Sequence, residues 1–211
     1  MLAKTLTSIV LLVLPLLASA NAQTEIGQLQ SRWAQVNYEL EGDAQLEAFE
    51  ELAEAADSAV RQFPDSAGLW IWSGIIKSTY AGAKGGLGAL GLAKAARRDL
   101  EKAVELDADA LDGSAYASLG TLYFSVPGWP VGFGNDKKAE ELLQTALTLN
   151  PDSIDNNYFY ASFLVDQQRF DEARQFLHRA AIAPPRPNRP LADSGRQMEI
   201  KATLEEIQGK H

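Results

Sequence analysis

There is no cysteine among the 211 residues, and only two are histidine. Without thiols there is no disulfide framework, no thiolate metal site and no cysteine nucleophile, and two histidines leave too few ligands for the usual zinc sets. Basic residues are also in short supply: 19 Lys and Arg stand against 28 Asp and Glu, for a formal net charge of −9. A nucleic-acid partner requires a cationic field that displaces counterions from phosphates, so none is expected. Two further absences concern structure. After residue 22 no apolar run is long enough to span a membrane, and no stretch of β-branched alternation is long enough to build a sheet.

What is present begins at the N-terminus. Met1 to Lys4 carries one positive charge, Leu6 to Leu17 is almost unbroken apolar sequence, and Ala18-Ser19-Ala20 forms a small-x-small cleavage signal. A spanning helix needs about 20 apolar residues, whereas this run is shorter, contains Pro15 and lacks a basic flank after it. Residues 1–22 therefore read as a secretory signal peptide, removed after Ala20 or after Ala22. No cysteine follows the cleavage points to take a lipid, so no membrane anchor is expected after cleavage. Taken with the family resemblance given below, this implies an expected location in the periplasm of a Gram-negative bacterium.

Beyond residue 23 apolar residues recur at three- and four-residue spacing, in a background rich in Ala, Leu, Glu and Lys, which predicts an all-α protein. Three segments share a layout: an aromatic-rich helix, a connection, then a second helix with small residues at fixed offsets. The middle copy has Tyr116, Leu119, Gly120 and Tyr123 in its first helix and Ala139, Leu143, Ala146 and Pro151 in its second. The copy before it has Trp70, Ser73 and Gly74, then Ala96, Leu100, Ala103 and Ala108. The copy after it has Asn157, Tyr160, Ala161 and Leu164, then Ala173, Leu177, Ala180 and Pro185. A degenerate pair over 23–64 precedes them, ending in Leu52, Ala56, Ala59 and Pro64. The terminal positions 64, 108, 151 and 185 are spaced 44, 43 and 34, so the first two of the three repeats carry insertions. These are expected as loops at 80–91 and 126–134. A Pro-rich linker and a capping helix are expected over 186–211, with Ile200, Leu204 and Ile207 on the buried face and Arg196, Lys201, Glu205 and Glu206 away from it.

Several apparent motifs carry no chemistry. Gly86, Gly88 and Gly91 match a dinucleotide fingerprint in spacing, but that fingerprint works only after a β-strand, and helices are predicted on both sides. Asp107, Asp109 and Asp112 fail the calcium-loop spacing and have no closing Glu, so they read with Asp152 and Asp155 as turn and N-cap residues. His178 has no nucleophile elbow to serve. No catalytic constellation, cofactor site or metal site is expected, and the chain reads as a non-enzyme.

The repeats over about residues 40–185 resemble tetratricopeptide proteins, with Tyr116 in place of the usual Trp and Leu143 in place of the usual Phe. The stretches AGAKGGLGALGLAKAARRDLEKAVELDADALDGSAY and VPGWPVGFGNDKKAEELLQTALTLNPDSIDNNYFYASFL also resemble small exported bacterial tetratricopeptide proteins and, more distantly, the T component of tripartite ATP-independent periplasmic (TRAP) transporters. This chain departs from lipid-anchored members of that kind in having no lipobox cysteine. The resemblance implies an α-solenoid of helix hairpins that acts as a scaffold, with a protein or peptide partner in its concave groove. The alternative it implies is a transporter accessory holding a small apolar ligand, an apolar acid, in a pore formed by the groove and the two inserted loops, which predicts a closed, aromatic-lined cavity. In such a solenoid the first helix of each pair lines the concave side. Helical counting places Ile71 and Ile75, Thr121 and Phe124, and Tyr158 and Ser162 on that inner stripe. Trp129 and Phe133 either close the mouth of the groove or tuck under their own loop, while Trp70, Trp72, Tyr116 and Tyr123 are assigned to packing.

Overall fold

Alanine and leucine at helical spacing, punctuated by turn residues, leave little local choice but helix. The computed structural model describes residues 6–210, among which there are nine α-helices and one short 3-10 turn. The helices are α1 (Leu6–Glu39), α2 (Gly42–Gln62), α3 (Ala67–Lys84), α4 (Gly86–Leu106), α5 (Ser114–Ser125), α6 (Asp136–Leu149), α7 (Ile154–Asp166), α8 (Phe170–Ala181) and α9 (Pro190–Glu206), with the 3-10 turn at Ala110–Gly113. Their starts carry conventional signals. The Asn135 side chain accepts from the Lys138 N–H at 2.9 Å, Ser153 Oγ accepts from the Asn156 N–H at 3.2 Å, and Pro190 opens α9.

Four hairpins, α1–α2, α3–α4, α5–α6 and α7–α8, stack side by side, and α9 follows alone. The first helix of each hairpin packs on the first helix of the next, from α1 through α3, α5 and α7 to α9, and α9 packs back against α1. The superhelix thus closes into a ring of five inner helices, with α2, α4, α6 and α8 outside it. Within two hairpins the helices approach closely because one residue has no side chain. A Cβ on Gly74 would stand 2.5 Å from Leu100 Cγ, and one on Gly120 would stand 2.6 Å from Leu143 Cγ. The fourth hairpin carries Ala161 and Leu177 at the matching positions, both fully buried. The repeating alanines of the outer helices, including Ala96, Ala103, Ala139, Ala146, Ala173 and Ala180, are buried as well. One core gathers α1, α2 and α3 with Ala192 of α9, and a second runs from α3 to α9. Trp70, Ile75, Leu92 and Leu111 pack against both, so the hydrophobic interior is continuous.

Three expectations need comment. The basic start of the targeting segment, residues 1–5, lies outside the described residues, and α1 runs through both expected cleavage points. The first buried side chains described in α1 are Ala22, Ile26 and Leu29. No loop exists at 80–91: α3 continues to Lys84, Gly85 and Gly86 turn the chain, each with φ 60°, and α4 begins at Gly86. The glycines there lie where a helix meets solvent, and alanine and leucine between them keep the helical period. The segment 126–134 is irregular chain between α5 and α6. Finally, Arg196 is not solvated. It is 6% exposed, whereas Lys201, Glu205 and Glu206 are exposed and Ile200 and Ile207 are buried.

A buried ion pair that sequence reading did not anticipate joins three helices. Lys77 of α3 donates to Asp99 of α4 at 2.5 Å and to Asp57 of α2 at 2.6 Å, and Ser73 Oγ donates to Asp99 at 2.8 Å. Lys77 and Asp99 are each 8% exposed. Removing one partner of such a pair strands the other charge without water. Lys77→Met is therefore expected to lower unfolding stability by about 3 kcal/mol in a urea titration, and adding Asp99→Asn to it recovers part of that loss.

Candidate functional site

Five inner helices closed into a ring leave a centre, and what fills it depends on the side chains turned inward. On α5 these are small apart from Leu122: Ser114, Ala117, Ser118, Thr121 and Ser125. Little bulk enters from that wall, and a cavity of about 530 Å³ remains. Trp33 of α1, Trp72 and Ile75 of α3, Leu122 of α5 and Phe159 of α7 give it an apolar, aromatic body. Gly82, Gly86, Pro127 and Val131 line it too and are exposed, which puts the mouth beside the α3–α4 turn and the 126–134 segment.

The opposite end is charged and belongs to a latch that holds α9 in place. Asp155, at the start of α7, accepts from Arg196 Nε at 2.9 Å through one oxygen and from Arg186 Nη1 at 2.6 Å through the other. Arg186 Nε also donates to Asp193 at 2.7 Å, and Arg196 bonds Glu199. The Arg196 guanidinium lies 4.4 Å from the Tyr158 ring centroid and 4.6 Å from that of Phe159. Gly195 lets α9 come down on Tyr38 of α1, since a Cβ there would lie 2.3 Å from the Tyr38 ring. Burial raises the Tyr38 hydroxyl to about 12, with Arg196 opposing and Glu199 and Asp155 adding to the rise. For Asp155 burial alone would raise the pKa. Arg196, Arg186 and Arg189 outweigh it and hold the carboxyl well below the usual carboxylate range.

Aromatic contacts connect latch and cavity. Trp33 meets Tyr38 edge-on at 5.7 Å and Trp72 at 5.8 Å, and its Nε1 donates to Thr79 Oγ1 at 3.0 Å. The Arg189 guanidinium lies 5.0 Å from the Trp72 ring centroid.

Of the eight residues expected at the site, Ile75 and Thr121 line the cavity. Ile71 is fully buried in the core. Phe124 packs edge-on against Phe163 at 5.7 Å, and Ser162 Oγ donates back to the Tyr158 carbonyl at 2.9 Å. Tyr158 lies under Arg196. Phe133 tucks against Tyr123 at 5.4 Å with Arg97 over its ring, whereas Trp129 on the same loop is 90% exposed. The wall is displaced by one residue from the expected stripe: Trp72 for Ile71, Ser125 for Phe124 and Phe159 for Tyr158. One residue is about 100° of helix rotation, enough to exchange the cavity face for a packing face. Asp155 is no N-cap, since Ser153 fills that role and leaves the carboxylate free for arginine. The signal for the charged end was present in Arg186, Arg189, Asp193 and Arg196, a cluster too dense for an ordinary linker. Among the described residues no group of His, Asp and Glu is placed to hold a metal ion, and no helix is long and apolar enough to cross a membrane.

Residues 134–192 match the family described as tetratricopeptide repeat, a span that holds the whole of the α7–α8 hairpin. No curated protein matches the chain. Among solved structures, one described as MamA is similar at 18% identity over 78% of this chain and 92% of that one, with a TM-score of 0.45. A second, described as MamA protein, is similar at 18% identity over 87% and 94% of the two chains, with a TM-score of 0.44. Helical repeats of the tetratricopeptide kind serve as binding scaffolds through their concave faces.

The latch yields a prediction. Asp155→Asn removes the charge shared by the arginines, so α9 is expected to loosen, with a stability loss of about 3 kcal/mol and faster protease cutting in 182–190. A depressed carboxyl stabilises the fold above the unfolded-state pKa of about 4, and that contribution disappears as pH falls through the lower folded-state value. In an acid titration followed by near-ultraviolet circular dichroism, the native protein therefore keeps its latch at pH values where ordinary carboxylates are protonated. Asp155→Asn loses that acid-dependent step.

Proposed function

We propose that this protein is a non-enzymatic, exported binding protein that holds a small molecule with an apolar body inside its helical ring. The observation that carries the reading is closure. Because α9 packs against α1, the concave side is a cavity bounded by helices all round and open at its mouth rather than a groove open along its length, and about 530 Å³ falls in the range of small-ligand sites. An extended peptide would need a groove open along its length. The aromatic walls from Trp33, Trp72 and Phe159 fit an apolar guest. Export rests on the apolar run from Leu6 to Leu17 and on Ala18-Ser19-Ala20. A transporter accessory in the periplasm is the finer form of this reading.

A protein partner is supported by a different feature. Trp129 is 90% exposed and Val131 63% exposed on the loop beside the cavity mouth, and exposed aromatic residues favour interfaces. In this reading a protein docks at the mouth while the small molecule occupies the interior.

Native mass spectrometry of the gently purified mature protein tests the proposal. The expected spectrum shows the chain carrying a non-covalent mass of small-molecule size and an N-terminus at Asn21 or Gln23. A co-purified polypeptide seated on a chain with no small-molecule adduct would return the function to a protein-binding scaffold, and an N-terminus retaining residues 1–20 would remove export.

A further inference from the structure

The mouth of the cavity carries an apolar exposure that the core does not explain. The segment 126–134 is not slack chain. The Gly132 and Val131 N–H groups donate to the Gly128 carbonyl at 3.0 and 3.2 Å, the Gly134 N–H to the Pro127 carbonyl at 3.0 Å, and the Asn135 N–H to the Tyr123 carbonyl at 2.8 Å. Phe133, at the inner end, packs against Tyr123 with Arg97 over its ring. The same folded loop holds Trp129 outward at 90% exposure and Val131 at 63%, with Pro127 and Pro130 exposed beside them. An indole kept in water forgoes the burial that Phe133, four residues on, obtains.

Charge is distributed just as unevenly. The stretches 78–98 and 113–138, which border the mouth from α3–α4 and from α5 through the loop to α6, hold Lys84, Lys94, Arg97, Arg98, Lys137 and Lys138 against Asp136 alone. The remainder of the chain holds 13 basic and 27 acidic residues. Lys138 donates to Tyr123 Oη at 2.7 Å at the base of the loop, and Lys84 donates to Tyr80 Oη at 3.1 Å at the end of α3. Glu101 and Glu141 stand 3.5 and 3.9 Å from Arg97 and Lys137, whereas Lys94 and Arg98 are exposed on α4 and have no ion-pair partner among the described residues. Charges farther away than a Debye length of about 8 Å are screened at physiological salt. A partner at the mouth therefore meets the basic rim and not the net charge of −9.

We infer that the mouth of the ring docks on an anionic lipid bilayer, with Trp129 and Val131 entering the headgroup region and Lys84, Lys94, Arg98 and Lys137 lying against lipid phosphates. A protein interface of standard size draws about 800 Å² from each partner, with side chains that specify it. Here the apolar part is one loop tip, and much of the surrounding rim is glycine, since Gly82, Gly85, Gly86, Gly88, Gly91 and Gly128 are exposed. A bilayer asks for no matching shape, and a rim without side chains lets it come close. Docked in this way, the cavity opens onto the acyl boundary past Ala89, Leu90, Val126 and Val131, so an apolar guest passes between lipid and ring without crossing bulk water. That consequence rests on the small-molecule reading proposed above, whereas the docking does not.

Sedimentation of the processed protein with lipid vesicles tests the docking. Vesicles of phosphatidylglycerol and phosphatidylcholine in equal parts are expected to bind it about tenfold more tightly than phosphatidylcholine alone, or better, and less tightly as salt is raised. The pair Lys94→Glu with Arg98→Glu is expected to lower anionic-vesicle binding by about tenfold or more. Trp129→Ala is expected to lower it several-fold, while Ile182→Ala, at an apolar side chain after α8 that is 85% exposed, leaves it unchanged. Tryptophan emission is expected to shift to the blue on binding and to be quenched by lipids brominated on the acyl chain. Trp129→Phe keeps a ring, and is expected to retain binding and lose both signals. All the chains compared share one N-terminus, so the apolar stretch at 6–17 contributes equally wherever it is retained. Equal binding of the two kinds of vesicle, or anionic-vesicle binding that survives both Trp129→Ala and the charge reversal, would overturn the inference. Binding to neither would overturn it as well and return the loop to a protein interface. All three leave the small-molecule reading untouched, since the mass spectrum decides that.

Discussion

A leucine of the outer helix seated on a glycine of its inner partner, in the α3–α4 and α5–α6 hairpins, sets the geometry on which everything else depends. Leu100 on Gly74 and Leu143 on Gly120 fix how near the two helices of a hairpin lie. Because these contacts lie on the outer side of the inner helices, the ring side is free to carry small residues, and α5 carries Ser, Ala and Thr on its cavity side with Leu122 as the one larger side chain. Bulk outside and small side chains inside bend the stack toward the inner helices. After five of them the ends meet, and a space is left where the small residues face one another. Curvature and cavity thus have one cause.

Much of this architecture was legible in the sequence because it follows from a repeated local pattern. Leu100, Leu143 and Leu177, with the alanines around them, recur at the same offsets and are fully buried. The 80–91 segment was misread because glycine-rich sequence suggests a loop. Alanine and leucine hold it helical on both sides of Gly85, and its glycines mark the exposed rim of the mouth. The inner stripe was harder to place. Apolar residues such as Ile71 and Phe124 look like groove candidates, yet they belong to the packing face, and the wall turned out to contain serines and a tryptophan. A binding stripe in a closed ring is marked by small size rather than by apolarity. That signal is visible at Ser114, Ala117, Ser118 and Thr121, but only once closure is known.

Closure itself was not legible, because it depends on charges far apart in sequence. Arg196 stands one turn before Ile200 and so on the same side of α9, a side that helical pattern alone reserves for apolar residues. In the ring that end of the side meets the cavity. Burying a guanidinium there is tolerable only because Asp155, Glu199 and the faces of Tyr158 and Phe159 surround it. One side of the helix therefore has two uses along its length. Ile200 and Ile207 pack on the preceding hairpin like an ordinary cap, while Ala192 and Arg196, two turns and one turn before Ile200, close the ring with Gly195 beside them against Tyr38 and Asp155.

The latch and the proposed small-molecule cavity share residues, and this has a thermodynamic consequence. Arg189 and Trp72 come together only when the linker and α9 are seated, since Arg189 precedes Pro190 at the start of that helix while Trp72 belongs to α3. A guest that fills the cavity they line binds the closed ring and not an opened one, so it shifts the equilibrium toward closure by its own differential affinity. The reverse also holds. Asp155, by holding Arg186 and Arg196, keeps the ring shut in the absence of a guest. With that end latched, a guest enters by the mouth, where Gly82, Gly86, Pro127 and Val131 line the opening and Trp129 stands beside it. One end of the ring thus fixes the shape of the cavity, and the other sets what it opens onto.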